Sequence, residues 1–172
     1  MPHLSSSQFL HGVVLALAFA AGAPVAFAAE AIGTVVGVSD GDTLTLLDMN
    51  KNRHRIRLDG IDAPERSQPY GQRARQSLAS LAHGRSAQAH CPKTDRYGRA
   101  VCRVTVDGVD VGLEQIRRGL AWHYVRYANE QSVGERSAYA RAERAARSSG
   151  AGLWSFRDPT PPWDYRRAQR GG

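Results

Sequence analysis

Residues 32–59 read IGTVVGVSDGDTLTLLDMNKNRHRIRLD, and the architecture follows from this stretch. Ile32 to Val38 is rich in β-branched residues, which suit a pleated, half-buried surface, and it stops at Ser39-Asp40-Gly41-Asp42, a turn signal. Thr43 to Leu47 resumes as a strand, and Asp48 to Asn52 turns the chain again. Arg53 to Asp59 then alternates charged with apolar residues, placing His54, Ile56 and Leu58 on one face. That period of two, with one wet face, predicts a third strand. Three short strands joined by turns form a β-meander.

Downstream, Ile61-Asp62-Ala63-Pro64-Glu65 leaves the sheet, because Pro64 holds Ala63 extended and interrupts any ladder. Tyr70 to Ala82 has Ala74, Leu78, Leu81 and Ala82 at helical spacing, with Gly84 as a stop. Ala87 to Cys91 and Arg99 to Val106 read as two more strands around a Thr94–Gly98 turn. Val111 to Arg118 reads as a short helix ended by Gly119, and Val133 to Ser148 as an Ala/Arg-rich helix stopped by Ser149-Gly150. Five strands with a helix after the third predict an α+β fold, a five-stranded OB-fold barrel with three helices. Residues 155–172 read as a Pro/Arg-rich C-terminal tail whose Pro161-Pro162-Trp163 either docks on the barrel or frays.

Upstream, residues 1–29 contain no Asp, Glu, Lys or Arg, and Phe9 to Ala21 is apolar. Gly22, Pro24 and the small-x-small run Ala26-Phe27-Ala28 follow, so residues 1–28 are expected to be a cleaved export signal. The stretch is short for a membrane span, which needs about 20 apolar residues. The mature protein is therefore expected in a periplasm or outside the cell, with no stable membrane association. An n-region with His3 and His11 but no Lys or Arg is the atypical feature. Residues 30–154 remain as one domain, large enough to bury a core of its own.

The formal net charge of +7 lies wholly outside the uncharged leader, and 42% hydrophobic with 23% charged residues excludes a disordered chain. Excess positive charge suits a polyanionic partner through counterion release and steering, although an arginine-rich proteome would give the same composition. The two cysteines, Cys91 and Cys102, flank a turn-like segment. In an exported protein such a pair points to a disulfide, with free thiols as the alternative. The six histidines form no zinc-ligand pattern.

Four acids sit near strand ends: Asp40, Asp42, Asp62 and Glu65. Read singly, Asp40 and Asp42 are ordinary turn residues that cap the backbone. In a meander, however, the first turn and the exit of the third strand share one barrel end. Carboxylates converging there call for a hard cation, and calcium accepts carboxylate and carbonyl oxygens. Arg57 on the third strand and Arg99 after the fourth offer guanidinium forks that match phosphate oxygens. Read singly, Arg57 is a solvated strand residue and Arg99 a salt-bridge partner of Asp95. Together the set contains what phosphodiester hydrolysis needs: a cation site, a base and positive groups for developing charge.

Three ordered runs resemble the staphylococcal nuclease family: Ser39-Asp40-Gly41-Asp42-Thr43, Arg57-Leu58-Asp59-Gly60-Ile61-Asp62-Ala63-Pro64-Glu65 and Thr94-Asp95-Arg96-Tyr97-Gly98-Arg99. The resemblance covers roughly residues 32–154. It implies a calcium-dependent endonuclease that hydrolyses DNA and RNA and works as a monomer. Asp42 and Asp62 would bind calcium with the carbonyl of Ala63, where the best-known member carries threonine. Asp40 would stand behind these ligands. Glu65 would activate or organise the attacking water. Arg57 and Arg99 would hold the phosphate, Arg96 and Tyr97 would contact substrate, and Tyr124 is assigned to base stacking. The loop 66–69 is shorter and less lysine-rich than in that member. A catalytically inactive OB-fold module that binds nucleic acid is the alternative, and an oligosaccharide-binding barrel is a third reading.

Overall fold

A computed structural model describes residues 30–171; the proposed export signal lies outside the described residues. Strands β1 (Glu30–Val38), β2 (Thr43–Asp48) and β3 (Arg53–Leu58) are the meander expected from residues 32–59. A two-residue strand β4 (Ile61–Asp62) follows, then helix α1 (Gly71–Ala82), β5 (Ser86–Thr94) and β6 (Ala100–Val106). The short β7 (Val109–Asp110) leads into helix α2 (Val111–Arg117), and β8 (Trp122–His123) precedes helix α3 (Val133–Ser148). Sheet order is β3-β2-β1-β5-β6-β7, and a parallel β3–β6 pairing closes it into a barrel of five principal strands. The expected OB-like α+β barrel is present.

The alternation read in the third strand has its physical meaning here. Ile56 and Leu58 point into the core beside Val35, Leu44 and Leu46, all at most 2% exposed. Each such side chain contributes roughly 1.5–3 kcal/mol by leaving water. Arg57 points the other way, toward the end of the barrel where β3 runs out. Cys91 and Cys102 are joined by a disulfide between β5 and β6, where the ladder register shifts after His90.

The number of helices needs correction. Within the Pro/Arg-rich segment a fourth helix, α4 (Pro162–Arg170), docks through Trp163 on Trp122 and Tyr124, so the described residues hold four α-helices and not three. Proline at the first helical position explains its start, because the missing N–H would be unpaired there anyway. Among the described residues no helix is long and apolar enough to cross a membrane.

Candidate active site

The Ser39–Asp42 turn is pressed against α1. A Cβ on Gly41 would come within 2.6 Å of the methyl groups of Ala63 and Ala74. Above it, the buried Gln115 of α2 donates through Nε2 to the carbonyls of Gly41 and Ala74, both at 2.9 Å. This clamp fixes the loop that carries Asp40 and Asp42. The same close packing recurs at the start of α1, where a Cβ on Gly71 would meet the Glu65 carbonyl at 1.9 Å. Only glycine lets the helix begin directly on the segment that presents Glu65.

Asp42 and Asp62 are buried, at 5% and 0% exposure. Asp42 accepts from the backbone N–H of Ala63 at 3.0 Å and from the Thr43 hydroxyl at 3.0 Å. Arg57 bridges the two acids, with Nη1 at 2.8 Å from Asp42 and Nη2 at 3.2 Å from Asp62. Burial pushes the Asp42 carboxyl up, but Arg57 and those hydrogen bonds outweigh it and hold the group below its ordinary range. Burial also acts on Asp62 and there prevails, helped by the Asp42 charge, so its carboxyl is shifted upward. Asp40 accepts from the Asp42 N–H at 3.0 Å, and burial followed by the Asp42 charge pushes it up to about 6. For Arg57, burial alone would weaken the cation; Asp42 and Asp62 more than compensate and keep it charged.

These acids open onto a cleft of about 860 Å³ whose walls include Asp40, Asp42, Arg57, Ala63, Glu65, Arg96, Tyr97, Arg99 and Tyr124. Asp62 is fully buried and does not line the cleft, but Arg57, which does, ties it to the site; the cysteine pair lies apart and serves the barrel. Arg99 turns part of its fork to Asp95, with Nη2 and Nε at 2.7 and 2.8 Å, so the salt bridge expected from its isolated reading exists. A guanidinium has five N–H donors, so this pairing does not exhaust the capacity of Arg99. Tyr97 is 67% exposed at the rim, with the guanidinium carbons of Arg96 and Arg99 at 4.9 and 5.5 Å from its ring centre. Tyr124 lies against Trp163 of α4, ring centres 5.6 Å apart and planes 32° from parallel. A second hollow of about 510 Å³, lined by Tyr70, Arg73 and Phe156 among others, holds no carboxylate and is no rival site.

One member of the site was missed in the sequence. Arg166 of α4 reaches the cleft floor, with Nη2 at 2.7 Å from Asp62 Oδ2 and Nη1 at 3.2 Å from Oδ1 and 2.7 Å from Glu65. Burial alone would weaken its cation, but Asp62 and Glu65 outweigh that. The signal was available: after Pro161-Pro162, residues 163, 166, 167 and 170 follow helical spacing on one face.

For a hard cation the chemistry of the donors fits, since Asp42, Asp62 and the Ala63 carbonyl offer oxygen only. Among the described residues no group of three or more His, Cys, Asp or Glu side chains is placed to hold a metal, and the expected set uses two carboxylates. Arg57 and Arg166 supply positive charge to the acids here.

A family profile described as "Staphylococcal nuclease homologue" matches residues 55–156. A probable staphylococcal-like nuclease of Oryza sativa subsp. japonica is 40% identical over 120 residues, 70% of this chain and 34% of that protein. An uncharacterized endonuclease of Escherichia coli O157:H7 is 38% identical over 139 residues, 80% of this chain and 86% of that protein. Another, of Haemophilus influenzae, is 34% identical over 136 residues, covering 79% of this chain and 73% of that protein. The chain thus spans about a third of the length of the Oryza relative and most of the bacterial ones. It belongs to the staphylococcal nuclease homologue family.

Proposed function

We propose that this protein is an exported, calcium-dependent endonuclease that hydrolyses phosphodiester bonds of DNA and RNA. The observation that carries the reading is the convergence of Asp42 and Glu65 with Arg57 and Arg99 on one cleft, with the buried Asp62 paired to Arg57 beside them. Relatives named as nucleases and endonucleases support the same reaction class. Asp42, Asp62 and the Ala63 carbonyl would hold calcium, which would supply positive charge to the phosphate when bound. Glu65 accepts a proton from the attacking water, or orients it, as the P–O bond to the leaving nucleotide breaks. Arg57 and Arg99 donate to the phosphate oxygens, where charge builds in the transition state. Arg96, Tyr97 and Tyr124 flank the strand. One chain supplies the whole set, in keeping with a monomer. Export rests on the leader-like residues 1–28, and the Cys91–Cys102 disulfide is in keeping with an oxidising compartment.

The test is digestion of single-stranded DNA by purified mature protein with calcium or with a chelator, repeated with the Arg57→Ala/Arg99→Ala variant. Calcium-dependent cleavage that disappears in the variant is the expected result. Binding without cleavage under every metal condition would overturn the reading in favour of an inactive OB-fold module.

A further inference from the structure

Helix α4 begins at residue 162, beyond the family match, which ends at 156. It nevertheless meets the site at two places. Arg166 takes both carboxylate oxygens of Asp62 and one of Glu65, where a cation would be needed. Trp163 lies against Tyr124, the ring assigned to stacking on a base, and both line the cleft. One side chain of α4 thus stands where a metal's charge belongs, and another packs on the ring assigned to the base.

Pro162 is the one fully buried residue of the helix, and Trp163 to Arg166 are half-buried. Trp163 also meets the buried Trp122, ring centres 6.4 Å apart. Among the described residues two further ties hold the segment. Tyr165 shares a hydrogen bond with Ser67 at 3.1 Å, and the buried Gln68 donates to the Thr160 carbonyl at 2.5 Å. Gln68 also accepts from the N–H of Glu65 at 3.1 Å, so the docked segment is linked directly to the candidate base. Shallow elements of this kind open with little free energy, well below global unfolding. A divalent cation at Asp62 replaces the positive charge that departs with the guanidinium. Arg57 already contacts Asp42 and Asp62, so calcium and Arg166 together would add two further cations within a few ångströms of it.

We propose that α4 is an intramolecular latch, in which Arg166 competes with calcium for Asp62 and pairs with Glu65 while Trp163 packs against Tyr124. Calcium binding releases the helix, removes that wall of the cleft and frees the Trp163-facing side of Tyr124. The proposal rests on the calcium-dependent reading above and adds the regulation of that site. A latch reduces apparent calcium affinity by the fraction of molecules in which it is open. Loosening it therefore tightens calcium binding, by roughly tenfold where about one molecule in ten is open.

The experiment is calcium titration by calorimetry on the mature chain and on the Arg166→Gln and Trp163→Ala variants, without nucleic acid. It is paired with hydrogen exchange over residues 162–170, with and without calcium. The expected result is tighter calcium binding in both variants and loss of α4 protection when calcium saturates the parent chain. Trp163→Ala is the decisive variant, since it leaves every charge in place; simple removal of a repelling cation would tighten binding only in Arg166→Gln. Unchanged affinity in Trp163→Ala, with α4 still protected at saturating calcium, overturns the latch and leaves the calcium-dependent reading standing. No calcium binding in any of the three chains overturns both.

Discussion

At the scale of single residues, Arg57 and Arg99 occupy different electrostatic settings despite a shared cleft. Arg57 is enclosed by two buried carboxylates, and Arg99 is braced from behind by Asp95 at 2.7 Å. A lysine at position 99 could keep the charge but not a fork that grips Asp95 and a phosphate at once. Arg99→Lys is therefore expected to lower turnover by about two to three orders of magnitude, the scale of losing one preorganised transition-state donor. Steady-state kinetics on single-stranded DNA would check it, and near-normal turnover would remove Arg99 from the catalytic set. These positions were legible in the sequence because Asp-Gly-Asp-Thr, Asp-Ala-Pro-Glu and Asp-Arg-Tyr-Gly-Arg are contiguous runs in a fixed order, and the resemblance to the family implies their roles. Gln115 was not. Nothing in its local pattern says that a helix glutamine will hold the carbonyls of Gly41 and Ala74, 74 and 41 residues away in the chain.

At the scale of elements, α2 and α3 are joined by a buried polar contact. Asp110 caps α2 by accepting from the Leu113 N–H at 3.0 Å, and it accepts from the Tyr139 hydroxyl of α3 at 3.0 and 3.1 Å. Burial nevertheless shifts the Asp110 carboxyl upward, despite these bonds. A carboxyl that ionises less readily in the folded chain than in the unfolded one contributes stability at low pH. That contribution fades as pH rises through the folded pKa. Asparagine keeps the cap and loses the charge. Asp110→Asn is thus expected to gain stability relative to the parent as pH climbs from about 4 toward neutrality, by on the order of 1 kcal/mol. Urea unfolding at several pH values would measure it; a gap independent of pH would contradict the burial account. At this scale the strands were predicted well because alternation and turn residues are local signals. Helix α4 escaped because its Pro/Arg-rich composition dominated the reading, while its apolar content is too small to mark a buried face.

At the scale of the whole molecule, the +7 charge is not spread evenly in effect. Lys93, Arg96, Arg99 and Arg126 all border the cleft, with Tyr97, Tyr124 and Tyr127 between them. Cations interleaved with aromatic rings suit single-stranded nucleic acid, where phosphates and bases are both accessible. Oligonucleotide binding in chelator is expected to weaken steeply with salt, each neutralised phosphate adding about −0.7 to the log–log slope. Fluorescence anisotropy with a labelled single strand should give a slope of about −2 or steeper. A flat dependence would mean that the positive charge does not contact the strand.

Local patterning determined the strands, the β-meander, the three central helices and the types of acids and arginines at the turns, because each depends on residues close together in the chain. Tertiary structure decided what those residues face. Burial shifted Asp62 upward while Arg57 and hydrogen bonds overcame it at Asp42, closure of β3 against β6 aligned the two halves of the site, and α4 brought Arg166 onto an acid 104 residues away. Such placements depend on long-range packing and on charges meeting in a low-dielectric interior, and neither has a signature in neighbouring residues.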